Sequence, residues 1–377
     1  MKRNLFYIWP LLFCTFLSKA QTKLEFDGQA SFVGSYSPEN DKDVFLGSRY
    51  IPELNLEIGL DTNQKIDFEL AANIAGTSLF HPFEKADLTG TVSPYRAWVR
   101  YSNKQFEVRL GLQKIDFGSA TALRPLQWFN QIDPRDPLRL TNGVYGALAR
   151  YYFLNNANIW VWGLYGNEKT RGFDAIKTTK NHPEYGGRFQ FPTSRGEMGI
   201  SYHHRNVNAS DFFDSPDLTK VPEDRFAIDG KWDVTIGLWF ELSHTHKYKN
   251  LGILTDQTYI NLGADYTFGL GNGLNILTEH LITSFDQKPF AFGTTSHITA
   301  GTLSYPLGLF DNLSSVVYYL HSSSDFTFFL NYQHQFKALT TYLMAYYNPD
   351  TQQGIQQNEL INNFKGPGVR LMLVYNH

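Results

Sequence analysis

The 377-residue sequence contains a single cysteine, Cys14, which lies close to the amino terminus. All later residues are free of cysteine, so disulfides cannot stabilise an exported form of this chain. The formal net charge is only −3, and nothing in it suggests a nucleic-acid partner. After the amino-terminal segment no stretch approaches the roughly 18 consecutive apolar residues of a spanning helix, which excludes such a helix there.

The first 20 residues have the pattern of a secretory signal peptide. A basic segment, Met1 to Asn4, precedes the apolar run from Leu5 to Leu17 and then Ser18-Lys19-Ala20. The small residue at the end of this pattern predicts cleavage after Ala20. The chain therefore divides into a signal peptide, residues 1–20, and one domain, residues 21–377.

The rest of the chain is rich in alternating apolar and polar residues, and 16% of all residues are aromatic. In residues 23–36 only Val33 breaks a strict period of two, and the same alternation returns in 49–61 and 104–113. Each run can cross a membrane as a tilted strand, which takes about 9–11 residues. Many runs end in Tyr, Phe or Trp, which favour the two membrane interfaces.

The connections between these runs alternate between long polar segments and tight turns. Nine are long and eight are short, and the long ones occupy roughly 37–48, 76–92, 114–143, 167–183, 206–223, 249–256, 285–296, 322–324 and 349–365. A soluble sandwich, propeller or solenoid has no reason to alternate its loop lengths so regularly. An even strand number with both termini on the short-turn side is typical of outer-membrane barrels.

The sequence therefore predicts an all-β fold. We expect a transmembrane antiparallel β-barrel of about 18 strands, within a range of about 16–18, embedded in the lipid of a bacterial outer membrane. Its long loops would be extracellular and its short turns periplasmic.

Odd and even positions of a strand point to opposite faces, and in such a barrel the apolar series faces lipid. The polar series of each predicted strand therefore identifies the side chains that face the lumen. Carboxylates dominate the inner face of the first three predicted strands. Arginines dominate the strands that follow, and the nominated pore residues there are Arg96, Arg100, Arg109, Arg150 and Arg188. An arginine-rich wall favours the passage of anionic or polyhydroxylated solutes. The alternative is that these charges only solvate the wall and pair with one another.

The third long connection, residues 114–143, carries the strongest functional signal. A loop of this length usually carries function or is disordered, and its apolar residues and three prolines argue against disorder. We predict that it folds into the barrel and narrows the pore. The candidate constriction residues are Arg124, Asp133, Arg135, Asp136 and Arg139.

The sequence around this loop resembles a known family. The run from Val108 to Gly118 and the segment from Asn130 to Asp136 are similar to the strand, Gly-Gln step and Asn/Asp-Pro segment of porin-like barrels grouped with alginate-export and phosphate-selective porins. The resemblance implies transport through an outer-membrane barrel, often of anions or anionic polysaccharide. Leu112 stands where the family usually has Arg, and Phe117 replaces a common Trp, so the resemblance does not define the substrate.

Signals for catalysis or metal binding are weak. His321-Ser322-Ser323 lacks a recognisable group that would orient a histidine beside a nucleophile, as a hydrolase site requires. His244 and His246 share one face of a strand, but zinc takes a third and usually a fourth ligand. We therefore expect no enzymatic activity, no cofactor and no metal.

The predicted function is a porin-like outer-membrane channel for the passive passage of small hydrophilic solutes, including anionic ones such as anionic saccharides. The alternative is a barrel component of a polysaccharide-export, secretion or surface-assembly system without an open pore. The sequence carries no signal for a particular oligomeric state.

Overall fold

A computed structural model of the protein describes residues 21–349 and 364–377. The predicted signal peptide, residues 1–20, and most of the last long connection lie outside the described residues. In these two ranges the only helical segments are the short helix α1 (Ser210–Phe213) and one 3-10 turn (Pro216–Leu218). No helix in the same ranges is long and apolar enough to cross a membrane.

Antiparallel strands make up nearly all of the described chain. In chain order they are β1 (Gln21–Tyr36), β2 (Val44–Asp61), β3 (Gln64–Phe80), β4 (Asp87–Ser102), β5 (Phe106–Gln113), β6 (Val144–Tyr152), β7 (Asn158–Leu164), β8 (Lys177–Thr178), β9 (Glu184–Thr193), β10 (Gly196–Asn208), β11 (Val221–Asp233), β12 (Gly237–Lys247), β13 (Asp256–Phe268), β14 (Leu274–Asp286), β15 (Thr295–Pro306), β16 (Asp311–Leu320), β17 (Asp325–Gln335), β18 (Leu339–Asn348) and β19 (Gly366–Asn376).

Eighteen of these strands form a closed wall, because β1 pairs with β2 on one side and with β19 on the other. The two-residue strand β8 pairs only with the end of β10. At the seam, Gly28 and His377 exchange two backbone hydrogen bonds of 3.1 Å. Closure leaves no strand edge, which is the condition for placing a sheet in lipid. The predicted antiparallel barrel of 18 strands is confirmed.

The connections alternate as predicted, with long loops at one end of the barrel and short turns at the other. Some loops are shorter than the sequence suggested. The second spans residues 81–86 rather than 76–92, because β3 and β4 continue toward it. Thr77 and Thr89 pair across these two strands and their hydroxyl groups lie 2.5 Å apart. Threonine suits strands, so the polar composition of this segment did not mark a loop.

The two faces of the wall follow the predicted period of two. On β1, Leu24 and Phe26 point outward with 64% and 59% of their surface exposed, whereas Ser35 of the other series is buried. Exposed Leu, Phe, Tyr, Val and Ile side chains recur on the outer face of strands around the barrel. This outer surface has the composition that a lipid environment requires.

Candidate functional site

Loop L3, residues 114–143, leaves the wall at the end of β5. Gly111 has a φ of 119°, and a Cβ atom there would lie 2.1 Å from the Ala97 carbonyl oxygen, so only glycine fits. The buried side chain of Gln113 donates from Nε2 to the carbonyl oxygens of Arg109, at 3.2 Å, and Gly146, at 3.0 Å. The Gly-Gln step therefore fixes the backbone where the chain turns from the wall into L3.

Two carboxylates on the far wall hold the first half of L3. Glu279 of β14 accepts hydrogen bonds from the backbone N–H groups of Thr121, Ala122 and Leu123, at 2.6, 3.1 and 2.5 Å. Its Oε1 atom also accepts a bond of 3.1 Å from the Trp239 indole. Backbone N–H groups that converge on a carboxylate make strong, charge-assisted hydrogen bonds. L3 thus crosses from β5 to the inner face of β14.

Glu241 of β12 provides the second anchor for L3. Its two carboxylate oxygens accept hydrogen bonds from the backbone N–H groups of Ala120, at 2.7 Å, and Leu126, at 3.2 Å. Nearby, the Trp128 indole donates to the Ser243 hydroxyl at 3.1 Å. The Glu241 side chain is fully buried, so these bonds form away from bulk water.

Apolar packing also holds L3 against the inner wall. Leu123 belongs to a buried cluster with Leu281 and Tyr318 on the inner wall. Phe129 belongs to a second cluster with Trp162, and their ring centroids are 5.3 Å apart. Because L3 covers the wall on this side, apolar side chains face inward there without meeting water.

The fourth long connection, loop L4 (residues 165–183, including β8), also folds against the inner wall. Asp174 accepts hydrogen bonds from Arg205, at 2.7 Å, and Arg225, at 2.6 Å. Arg171 pairs with Glu184 at 2.6 Å. These ion pairs are buried, so removing one partner leaves an uncompensated charge.

A cavity of about 440 Å³ remains between L3, L4 and the inner wall of β2–β4. We call it the β2–β4 cavity. The wall contributes Arg49, Asn73 and Tyr95, and L3 contributes Gln131 and Asp136. Charged residues of L4 complete the lining with Glu168, Lys169, Arg171 and Lys180. The volume and the polar lining suit a small hydrophilic solute.

Most of the nominated wall arginines face a carboxylate. Arg100 lies 2.8 Å from Asp67, its cross-strand neighbour, and Arg150 lies 3.1 Å from Glu107, its own cross-strand neighbour. The charge of both guanidinium groups is therefore largely balanced. For these residues the structure shows the pairing that the sequence left as an alternative.

Arg188 and Arg109 differ in how strongly they are paired. Arg188 is buried and donates to both oxygens of Asp229, at 2.5 and 2.8 Å. Arg109 lies 3.9 Å from Glu107, too far for a hydrogen bond, and its guanidinium lies 4.5 Å from the centre of the Trp98 ring. Arg109 is thus less fully paired than Arg100, Arg150 and Arg188.

Arg96 and Arg124 are mainly structural in their contacts. Arg96 donates to the carbonyl and hydroxyl oxygens of Thr141, at 3.2 and 2.7 Å, and thereby ties the end of L3 to β4. Arg124 donates to the Ala120 carbonyl, at 3.1 Å, and pairs with Asp116 at 2.6 Å, both within L3. Neither guanidinium is free to meet a solute.

The remaining predicted residues lie in the second half of L3. Arg135 and Asp133 form a buried pair at 2.8 Å, and the Arg135 guanidinium lies 5.9 Å from the centre of the Tyr318 ring. Asp136 lines the β2–β4 cavity, and its carboxylate accepts a bond of 3.0 Å from the Leu138 N–H group. Arg139 is exposed and has a φ of 47°. Asp133 and Asp136 are therefore the predicted loop residues that border the cavity.

Sequence reasoning missed three side chains that organise this site. Arg49 lines the cavity but lies on a strand whose other inward charges are acidic, so it was not nominated. Arg49 belongs with Glu53 to the polar series of residues 49–61, and this was the available signal that its side chain faces the lumen. Glu241 and Glu279 lie more than 100 positions from their L3 partners, as their separations of 115 to 158 residues show. No local pattern reveals contacts of that kind.

Burial and neighbouring charges shift the pKa values of two carboxyl groups in L3. Burial raises the pKa of Asp136 above that of a free aspartate. Burial alone would also raise the pKa of Asp116, but the adjacent charges of Arg124 and Lys114 hold it below its usual range. The Asp136 carboxyl at the cavity therefore loses its charge at a higher pH than a free aspartate does.

The histidines noted in the sequence make hydrogen bonds to threonine and aspartate side chains. His321 Nε2 lies 2.9 Å from the Thr299 hydroxyl. His244 Nδ1 lies 2.9 Å from the Thr258 hydroxyl, and His246 Nδ1 lies 2.8 Å from Asp256. Across residues 21–349 and 364–377, no three His, Cys, Asp or Glu side chains are placed to hold a metal ion.

The chain matches no protein-family model and no curated protein. Among solved structures, OccD3 (OpdP) of Pseudomonas aeruginosa shares 10% identity over 94% of this chain and 91% of its own, with a TM-score of 0.58. OccAB4 of Acinetobacter baumannii shares 8% over 96% and 99%, with a TM-score of 0.56.

An anion-selective porin from Comamonas acidovorans shares 14% identity over 95% of this chain and 100% of its own, with a TM-score of 0.52. None of these three structures is described as an alginate-export or phosphate-selective porin, so that narrower resemblance stays a prediction. At such identities the likeness concerns the fold alone. The protein has the closed antiparallel barrel fold seen in outer-membrane porins.

Proposed function

We propose that the protein is a channel of a bacterial outer membrane that lets small hydrophilic solutes pass passively, with a preference for anions. The fold supports this proposal, because a closed barrel with an apolar outer face satisfies its backbone in lipid and encloses a polar lumen. No chemical step is needed for such a function.

The observation that carries the proposal is the position of L3. Glu241 and Glu279 hold its first half against β12 and β14, and the β2–β4 cavity remains open beside its second half. We therefore infer that L3 narrows the lumen on the β12–β14 side and leaves it open on the β2–β4 side. The solute path would therefore run along β2–β4, where the cavity lies.

The anion preference follows from two guanidinium groups on this side of the lumen. Arg49 makes no ion pair within 4.0 Å among the described residues, and Arg109 lies 3.9 Å from its nearest carboxylate oxygen. A cation in a low-dielectric wall raises the local concentration of anions. The Comamonas acidovorans porin of the same fold is described as anion-selective, which favours the same interpretation for this chain.

A planar-bilayer experiment tests the channel and its selectivity together. The refolded full chain should form open channels in KCl, and the reversal potential in a salt gradient should show anion preference. Replacing both Arg49 and Arg109 by Gln should reduce that preference, because Gln keeps the polarity and removes the charge. Lys104→Gln, which removes a charge from the exposed turn between β4 and β5, is the matched control.

Each outcome assigns a function. Open channels that lose anion preference in the double variant and keep it in the control support the proposal. Open channels with unchanged selectivity would show that these arginines do not set it. A folded barrel that never conducts would favour the alternative, a component of a polysaccharide-export or surface-assembly system without an open pore.

A further inference from the structure

We infer that the free edge of β4, residues 87–93, is a docking site for an extended segment of a partner protein, which adds to the sheet as one more strand. The segment carries apolar side chains at every second position and an aromatic side chain at its centre. The inference goes beyond the proposed channel, because it concerns the long-loop rim of the barrel and not the lumen.

The closed part of the wall has no free edge, but β4 continues past it. The pairing of β4 with β5 covers residues 97–102, whereas its pairing with β3 reaches Asp87. Beyond residue 97 the chain of β5 turns inward as L3, so the place of a continued β5 is open. Among the described residues, backbone hydrogen bonds join residues 88–93 to β3 alone. The backbone groups that point away from β3 therefore lack a strand partner.

The opposite side of the same gap in the wall is covered. β10 also extends past the end of β9, but its edge pairs with β8 at Val207 and Asn208. The Thr179 N–H group donates to the Asn206 carbonyl oxygen at 2.8 Å. L4 thus supplies a short strand to the edge of β10, and no segment within residues 21–349 and 364–377 does the same for β4.

The edge of β4 is exposed and unguarded over six residues. Residues 87–92 are all exposed, and Leu88 and Val92 expose 77% and 76% of their surface on the outer face. Natural free edges are usually protected by lysine, proline or a bulge. Here the proline and the bulge, at Pro94 and Tyr95, lie at the base of the edge. The edge alone is unfavourable in lipid because of its unpaired backbone, and in water because of its apolar side chains.

A pair of glycines marks the place for the central side chain of the added strand. Gly90 lies between Leu88 and Val92 on the outer face and pairs with Gly76 of β3. Apart from its chain neighbours, a Cβ atom at Gly90 would meet no heavy atom closer than 4.0 Å, so the fold does not require glycine there. Glycine weakens a strand and often marks the close approach of another backbone. The hollow fits an aromatic side chain, which stabilises sheets by covering a glycine.

A segment of another protein fits this edge better than a second copy of the chain does. Two copies of β4 that pair antiparallel are related by a two-fold axis perpendicular to the sheet. Because the wall stands across the membrane, that axis lies in the membrane plane and would invert one barrel. Parallel pairing would put the axis along a strand that tilts by about 35–45°, so the two barrels could not stand upright together. An extended segment has neither constraint.

The test uses the full refolded chain in detergent and a labelled peptide, Thr-Val-Thr-Phe-Thr-Val-Thr, whose Phe would lie opposite Gly90. Fluorescence anisotropy should show saturable binding. Of two versions N-methylated at odd or at even positions, one should bind at least about tenfold more weakly, because its methyl groups block the hydrogen bonds to β4. The other should bind as the parent does. Bound peptide should slow amide hydrogen exchange in residues 87–93 and leave the β10 edge unchanged.

Variants of the chain locate the site. Leu88→Lys combined with Val92→Lys should weaken peptide binding at least about tenfold, because lysine removes the apolar contacts and guards the edge. Leu154→Lys, the same change at a leucine that is 92% exposed in the turn between β6 and β7, is the matched control. The parent peptide should bind roughly threefold tighter than a peptide with Ala in place of Phe. Gly90→Val fills the hollow and should abolish that preference.

Each outcome either supports or overturns the docking edge. Saturable binding that depends on one set of peptide N–H groups and is lost in the double lysine variant supports it. No saturable binding, equal binding of both N-methylated peptides and the parent, or unchanged affinity in the double lysine variant would overturn it. Self-association of the chain that the lysine variant abolishes would also overturn it, since a second copy would then occupy the edge. None of these results depends on whether the barrel conducts.

Discussion

Replacing Glu279 by Gln probes the anchor of L3 with a nearly isosteric change. One carboxylate oxygen accepts from Thr121 and the Trp239 indole, and the other accepts from Ala122 and Leu123. In Gln one of these oxygen atoms becomes an NH₂ group, so two N–H donors lose their acceptor. At about 1.5–3 kcal/mol for each hydrogen bond to a charged group, the loss of two bonds weakens the anchor by about 3–6 kcal/mol.

This loss should appear as local opening rather than as unfolding of the barrel. Amide hydrogen exchange in the L3 peptide that contains Ala122 and Leu123 should accelerate at least roughly 100-fold, since every 1.4 kcal/mol is about a factor of ten. Single channels should show more open-channel noise. Exchange in the strands should stay unchanged, because their ladder hydrogen bonds are not touched.

The control for this experiment is Glu197→Gln on β10, an exposed glutamate near the short-turn end of the barrel. It makes the same chemical change without touching L3. If Glu279→Gln leaves exchange in L3 and channel noise at wild-type levels, the hydrogen bonds to Glu279 do not hold the loop, and the argument for an L3 fixed across the lumen fails.

Two further predictions concern the cavity and L4. Burial raises the pKa of Asp136, so its charge should be lost as the pH falls through a value above the roughly 3.9 of a free aspartate. Anion preference should therefore rise on acidification, whereas Asp136→Asn should show the high preference at every pH. Reversal potentials measured from pH 7 to 4 check this prediction. A variant whose anion preference still changes with pH as in the wild type would contradict it. Asp174→Asn leaves the buried Arg205 and Arg225 without one of their partners, which costs about 3–5 kcal/mol. L4 should then be cleaved faster by trypsin at Lys177, and equal cleavage of variant and wild type would show that Asp174 does not hold the loop.

The barrel could be read from the sequence because lipid imposes a strict rule on every strand. Outward residues must be apolar, so the alternation in residues 23–36 and 49–61 marks strands even without neighbours. The regular change between long and short connections then gave the strand number. Loop ends were less accurate, as between β3 and β4, because a polar composition does not exclude a strand and threonine favours strands.

Pairing between side chains could not be predicted in the same way. Parity places Asp67 and Arg100 inside the barrel, but their ion pair depends on the register between β3 and β4. The burial of Leu123 and Phe129 agrees with the apolar pattern of the third loop, whereas its anchors at Glu241 and Glu279 come from strands far along the chain. The role of the ten nominated residues in a pore stays a prediction.

The anchoring of L3 has a consequence for the order in which the protein assembles. The hydrogen bonds from L3 to Glu241 and Glu279 join residues 115 to 158 positions apart, so they cannot form until β12 and β14 are present. During synthesis and insertion, strands β1–β6 therefore exist before L3 has its two carboxylate anchors. Until then the apolar residues of L3 must be protected from contacts with other chains. A barrel whose assembly stops before β14 would carry an exposed, aggregation-prone loop.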